Sequence, residues 1–207
     1  MIPGQTIIRE CSACGKHIAE RTIISGNNCG ARYWTDGKED APFLPDLPPL
    51  IKCQHCDTLV WIEEQRQVGK IKPCGKTRKF ADARPASTPT FQDYVGFLGV
   101  GVDDKVKERY VRLRTWWAGN DSRRESSQPT PLDSFETQNL RVFVTLLDEA
   151  EDDDRIVKAE ALRELGEYAD AEKLLATEFE DESLQFVSFI RDLTQKRIAT
   201  VAEIIFE

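Results

Sequence analysis

The sequence predicts an α+β protein, with a small β domain over residues 1–86 followed by an all-α domain over residues 87–207. Three observations predict it. All six cysteines of the 207-residue chain fall between Cys11 and Cys74. After them, Arg84-Pro85-Ala86-Ser87-Thr88-Pro89 is a stretch that can continue neither a helix nor a central strand. Beyond it, short β-rich runs give way to acidic segments whose apolar residues recur at helical spacing.

The first domain reads as strands and turns. Thr6-Ile7-Ile8-Arg9 runs into Cys11, and Arg21-Thr22-Ile23-Ile24 precedes the turn-rich Ser25-Gly26-Asn27-Asn28. Ala31-Arg32-Tyr33-Trp34 leads to a turn at Asp36-Gly37, and Thr58-Leu59-Val60-Trp61-Ile62 is rich in β-formers. Between them Pro42, Pro45, Pro48 and Pro49 mark a stiff, extended connection. The run Ser25 to Gly37 holds glycines beside asparagines, which favour positive φ. It reads either as a ligand loop presenting Arg32, Tyr33 and Trp34 or, preferably, as a hairpin whose aromatics cover a very small core.

The second domain reads as helices. From Val102 to Trp117, Val106, Tyr110, Leu113 and Trp117 fall on one face, and Asn120-Asp121-Ser122 is expected to end the helix. Asp133 opens the next helix, with Glu136 as its capping-box partner. Leu140, Phe143, Val144 and Leu147 make its buried face. Asp152, Asp153 and Asp154 suit the positive end of a third helix dipole. A last helix covers Ser183–Lys196. Trp116 and Trp117 are adjacent on a helix and cannot face the same core, so one is expected inside and the other against a neighbouring element.

Charge is unevenly spread. Residues 1–86 carry 13 Lys+Arg against 10 Asp+Glu and residues 87–207 carry 15 against 26, so +3 and −11 make up the net −8. Neither half is basic enough to announce a nucleic-acid binder. No apolar run approaches the roughly 20 residues that span a bilayer. The opening Met1-Ile2-Pro3-Gly4-Gln5 has no signal-peptide character, which predicts a cytoplasmic protein with reduced thiols.

Cys11-Ser12-Ala13-Cys14-Gly15 and Cys53-Gln54-His55-Cys56 are the strongest chemical signal. Each Cys-x-x-Cys turn folds two thiolates towards one point, and two such turns supply the four sulfur ligands of tetrahedral, structural Zn2+. Redox chemistry would place the motif at a helix start in a βαβ setting, which is absent here, while an iron–sulfur centre could use the same thiolates. His17 and His55 stand close enough to replace a thiolate, but read more simply as polar loop residues. Cys29 reads as a small buried hydrophobe and Cys74 as a structural or incidental thiol. The paired spacing over residues 5–63 resembles a zinc ribbon, in which each knuckle sits at the end of a β-hairpin.

Arg155 to Leu175 places small Ala159 and Ala161 on one helix, a Gly166-Glu167-Tyr168 turn, then Ala171 and Leu174-Leu175 on the next. This resembles one tetratricopeptide-type (TPR) helical hairpin. The resemblance implies a stack of helices presenting a surface to a protein partner, with Glu160, Arg163 and Glu164 as candidate exposed contacts. The zinc module joined to such helices resembles bacterial proteins of this architecture, a resemblance that implies no activity.

No nucleophile–base pair, phosphate-cradling glycine loop or paired carboxylates of definable role is present, so the expectation is a non-catalytic interaction or scaffold protein. The alternative is nucleic-acid binding through the zinc module and the strip 66–84, which carries seven Lys+Arg against the single acid Asp82.

Overall fold

Residues 1–73, 75, 78–126 and 128–205 are described by the computed structural model. The chain has the α+β class, with small β-sheets towards the N-terminus and six helices towards the C-terminus among the described residues. It divides into two units, one of residues 1–31 and 40–93 and one of residues 32–39 and 94–207. The sequence boundary at residue 86 did not anticipate that the chain crosses between the units more than once.

The first unit is built on hairpins. Strands β1 (Ile2–Pro3), β2 (Thr6–Glu10), β3 (His17–Glu20) and β4 (Ile23–Ser25) come first. After β5 (Arg32–Trp34), which belongs to the second unit, and β6 (Glu39–Asp40), where the chain crosses back, the first unit continues with β7 (Leu50–Lys52), β8 (Leu59–Trp61), β9 (Arg66–Ile71) and β10 (Arg84–Pro85). A four-stranded sheet runs β10-β3-β2-β9, antiparallel except for the β10–β3 pair. β7 and β8 form a separate antiparallel hairpin. The core between them is small: Cys11, Ile18, Ile51, Cys53, Val60 and Ile62. A core of that size supplies little of the burial a free-standing domain needs, so its two buried cysteines are structurally decisive. β9 was not foreseen, since its charged residues read as a basic tail. Its Gly69 leaves room for Phe80, whose ring would stand 2.3 Å from a Cβ at that position.

The helices are α1 (Phe91–Val100), α2 (Lys105–Arg124), α3 (Ser134–Phe143), α4 (Asp152–Glu164), α5 (Tyr168–Leu175) and α6 (Leu184–Gln195), with β11 (Glu203–Ile204) after them. Asp133 and Glu136 form the expected capping box at α3. Gly166, at φ 78°, closes α4 with Gly166 N–H bonded to the Arg163 carbonyl and Glu167 N–H to that of Leu162. Ala159 packs with Leu175, Val187 and Ile190, while Ala161 packs with Trp116, Leu140, Phe143 and Leu147. The unit is not purely helical, because β11 pairs antiparallel with β5.

Three helical expectations need correcting. α1 was not foreseen. α2 runs through Asn120-Asp121-Ser122 to Arg124, because Asn120 directs its side chain into tertiary contacts instead of ending the helix. Val106 is 78% exposed, and the buried positions of α2 are Val111, Arg114, Thr115, Trp116, Asn120 and Arg123.

Candidate metal centre

Each knuckle is the turn of a hairpin. Cys11 and Cys14 lie between β2 and β3, and Cys53 and Cys56 lie between β7 and β8. The two turns repeat the same hydrogen bonds. Gly15 N–H donates to the Cys11 carbonyl and Asp57 N–H to that of Cys53, both at 2.8 Å. Cys11 N–H donates to Lys16 O at 2.9 Å and Cys53 N–H to Thr58 O at 3.0 Å. The residue after each second cysteine is left-handed, Gly15 at φ 68° and Asp57 at φ 60°.

The four sulfurs lie within 4.8 Å of one another. Cys11 Sγ is 3.9 Å from Cys56 Sγ, and Cys14 Sγ is 3.9 Å from Cys53 Sγ. A tetrahedron with metal–sulfur bonds of ~2.3 Å has edges of about 3.8 Å, so the thiols fit a single ion. A disulfide needs sulfurs at about 2.05 Å, and a multi-iron cluster spreads its thiolates over separate irons. Burial pushes the Cys53 thiol up to about 12. Thr58, whose Oγ1 lies 3.4 Å from Cys56 Sγ, holds that thiol at about 7.

Neither histidine joins the group. His55 Nε2–H donates to the His17 carbonyl at 3.2 Å, and His17 Nδ1 sits 3.0 Å from Asp82 Oδ1. Buried Gln65 accepts from Ser12 N–H at 2.8 Å and donates to the Trp61 carbonyl at 3.0 Å, so it braces the first knuckle against the second hairpin. Nothing in the sequence marked Gln65, because a lone glutamine outside any motif carries no spacing signal. Cys29 is exposed, contrary to its expected burial, and Cys74 lies outside the described residues.

Asp57 departs from the glycine its position favours, since a Cβ disfavours the left-handed region. Asp57→Gly is expected to raise the stability of the metal-loaded protein by about 0.5–1 kcal/mol. The check is the urea midpoint at unchanged metal content. An unchanged or lowered midpoint would mean the Asp57 side chain contributes more than the strain costs.

The basic strip is partly committed. Arg66 pairs with Glu10 at 2.7 Å, and Arg84 donates to the Gln54 carbonyl at 2.9 Å. Lys70, Lys72, Arg78 and Lys79 are exposed, and Lys76 lies outside the described residues.

The second unit holds a polar cluster that hydropathy did not reveal. The candidate contacts Glu160, Arg163 and Glu164 are buried, at 0%, 0% and 5% exposure, so they form no exposed face. Arg163 grips Glu160 with two nitrogens and donates to the carbonyls of Ile198 and Thr200, which fixes the segment leading to β11. Asp36, fully buried at the turn after β5, forms a two-pronged pair with Arg124, the closer contact at 2.5 Å. Arg124 also lies over the Trp34 ring, as does Arg32. Asn120 Nδ2 donates to Asp36 at 3.0 Å and to Glu164 at 3.1 Å, and Trp116 Nε1 donates to Glu164 at 2.9 Å. Trp117 Nε1 donates to the Asp36 carbonyl at 2.8 Å. The tryptophans therefore divide as their spacing predicts; within the Ser25–Gly37 run, Trp34, Thr35 and Asp36 are buried, while Ser25 to Gly30 and Arg32 are exposed. The Glu160-x-x-Arg163 spacing beside small alanines is a sequence trace of the cluster.

No helix is long and apolar enough to cross a membrane among the described residues. Comparison with family models, curated proteins and solved structures gives no match for this chain.

Proposed function

We propose that this is a non-catalytic, cytoplasmic scaffold for a protein partner, with one structural zinc held by Cys11, Cys14, Cys53 and Cys56. The observation that carries the reading is the closed donor set, four sulfurs spaced for one tetrahedral ion. Soft thiolates favour zinc among available ions, and four of them leave no position for a reacting water. Such an ion contributes folding free energy to a unit whose own core is small. Knuckles at the ends of hairpins support the zinc-ribbon likeness. Small Ala159 and Ala171 at the α4–α5 approach, with Gly166 between, support the TPR-type one.

A second reading, nucleic-acid binding, is favoured by the exposed Lys70, Lys72, Arg78 and Lys79. One pair of measurements separates the two. Metal analysis of protein purified without added metal is expected to give one zinc per chain. Fluorescence anisotropy with labelled single- and double-stranded DNA and RNA is expected to show no appreciable affinity at physiological salt, because the −11 of residues 87–207 opposes the strip. Submicromolar binding that falls about a thousandfold between about 50 and 200 mM salt, and weakens in a Lys72→Ala/Arg78→Ala/Lys79→Ala variant, would establish the second reading instead.

A further inference from the structure

The first unit exposes large apolar side chains in two stretches that meet. Ile2 in β1 is 57% exposed and Ile24 in β4 is 71%, while Phe43, Leu44 and Leu47 in the proline-rich connection are about half exposed. The stretches join at Gly26, where a Cβ would stand 2.3 Å from Phe43 O and 2.9 Å from Leu44 Cδ1, so Leu44 lies across the end of β4. This surface sits at the end of the β2–β3 hairpin remote from its knuckle. Glu10 pairs with His17 beside the knuckle, and Ile7 with Glu20 at the far end, next to β4. It is also free of charge. No Asp, Glu, Lys or Arg occurs in residues 1–8, 22–31 or 41–45, in a chain of which 31% is charged.

β1 and β4 form a sheet of only two strands, which is marginal by itself. Among the described residues, the main chain of Ile23, Ile24 and Ser25 is hydrogen-bonded to no segment other than β1. Edge strands are ordinarily blunted with charge or proline. β1 carries Pro3, which has no N–H to offer another strand, whereas β4 carries neither safeguard.

We propose that the occupant of this surface is a second copy of the chain, with the two β4 edges paired antiparallel about a twofold axis at Ile24. Ile23 of each copy then faces Ser25 of the other, Ile24 faces Ile24, and two two-stranded sheets become one of four strands. Antiparallel pairing of identical strands is self-complementary, as an isologous contact requires. A charge-free patch adds no repulsion between copies, although the whole chain carries −8. The five apolar side chains present roughly 500 Å² per copy, against about 800 Å² per partner in a standard interface, so the dimer is reversible and of micromolar strength. The contact goes beyond the scaffold reading and does not depend on it. Tight nucleic-acid binding in the anisotropy experiment would leave it standing.

Sedimentation equilibrium on full-length, zinc-loaded protein is expected to show a monomer–dimer equilibrium between about 1 and 100 μM. Hydrogen exchange at Ile23, Ile24 and Ser25 is expected to slow as the dimer forms, a measurement that needs no variant to fold. Ile24→Asp sets two carboxylates opposite each other at the axis and is expected to weaken the dimer by about a hundredfold, at unchanged zinc content and circular dichroism. Val106→Asp, the same kind of change at an exposed side chain of α2, is expected to leave the dimer intact. Raising salt from about 50 to 500 mM is expected to leave an uncharged contact as it is. A monomer throughout that range, an Ile24→Asp dimer of wild-type strength, a dimer that salt dissolves, or exchange in β4 that ignores concentration would each overturn the assignment. So would a chain that stays monomeric and binds neutral phosphatidylcholine vesicles, since a lipid surface would then be the occupant.

Discussion

Cys53→Ser is expected to unload the metal and unfold the first unit while most of the helical signal persists. Cys53 and Cys11 are themselves core residues, at 0% and 1% exposure, in one cluster with Ile18, Ile51, Val60 and Ile62. Metal binding to sites of this kind is worth about 10–16 kcal/mol in apparent terms, several times the stability of a small unaided module. Losing one thiolate therefore removes the dominant favourable contribution to the first unit. The helices pack through separate clusters around Trp116 and Ala159 and contain no ligand. Far-UV circular dichroism should keep its helical minima, while hydrogen exchange in β2, β3 and β9 becomes fast. A metal-free variant with the wild-type urea midpoint would refute the structural role.

The second large effect concerns the buried carboxyls. Asp36→Ala is expected to destabilise the second unit by about 3–5 kcal/mol, because Arg124 would be left in the interior without its main counter-charge. The Arg124 side chain is 3% exposed, and its other carboxylate partner, Asp121, is half in solvent. A urea midpoint lowered by less than about 1 kcal/mol would show that Asp121 suffices.

Glu164→Gln should do the opposite. Glu160 is matched by Arg163 and Asp36 by Arg124. The side-chain hydrogen bonds that the described residues give Glu164 come instead from the neutral donors of Trp116 and Asn120, with the Arg163 charge acting on it without a direct pair. Burial first, then the charges of Glu160 and Asp36, push its carboxyl well above the ordinary value. Asp36 is raised as well, with burial outweighing Arg124. An unfolded glutamate titrates near about 4.3, so above that pH the folded chain retains a proton the unfolded chain has released. The associated stability is full below the unfolded value and is lost as pH rises through the folded one. Glutamine removes that loss, so the stability gain of Glu164→Gln over wild type should grow with pH above about 4.3. Paired urea titrations from acid to alkaline pH read this directly. A difference that does not vary with pH would mean Glu164 is ionised in the fold.

What was legible in the sequence was local chemistry. The Cys-x-x-Cys turns, the Asp133–Glu136 cap and the Gly166 turn each need only a few neighbouring residues, and each formed where the spacing put it. Long-range compensation was illegible. Asn120, a residue that disfavours helix interiors, sits inside α2 because its amide bridges Asp36 and Glu164 from elsewhere in the chain. Residues Ala159 to Glu164 are all buried, yet their charged members read as a solvated face, since hydropathy cannot tell a paired interior charge from an exposed one. β9 was missed for a similar reason: its basic residues hid a strand whose pairing is set by β2.

The return of residues 32–39 to the second unit gives the chain an unusual connectivity. It enters the helical unit, leaves at Asp40 to complete the first unit, and re-enters at Tyr94. Neither unit is a continuous length of polypeptide, so no single cut releases either one whole. A break in the exposed Pro45–Pro48 segment would give two fragments that each carry part of both units, and each fragment would be the other's template for refolding. During synthesis the same connectivity sets an order of events. Asp36 emerges long before Arg124 and Glu164 exist, and its turn must wait for the helices that bury it.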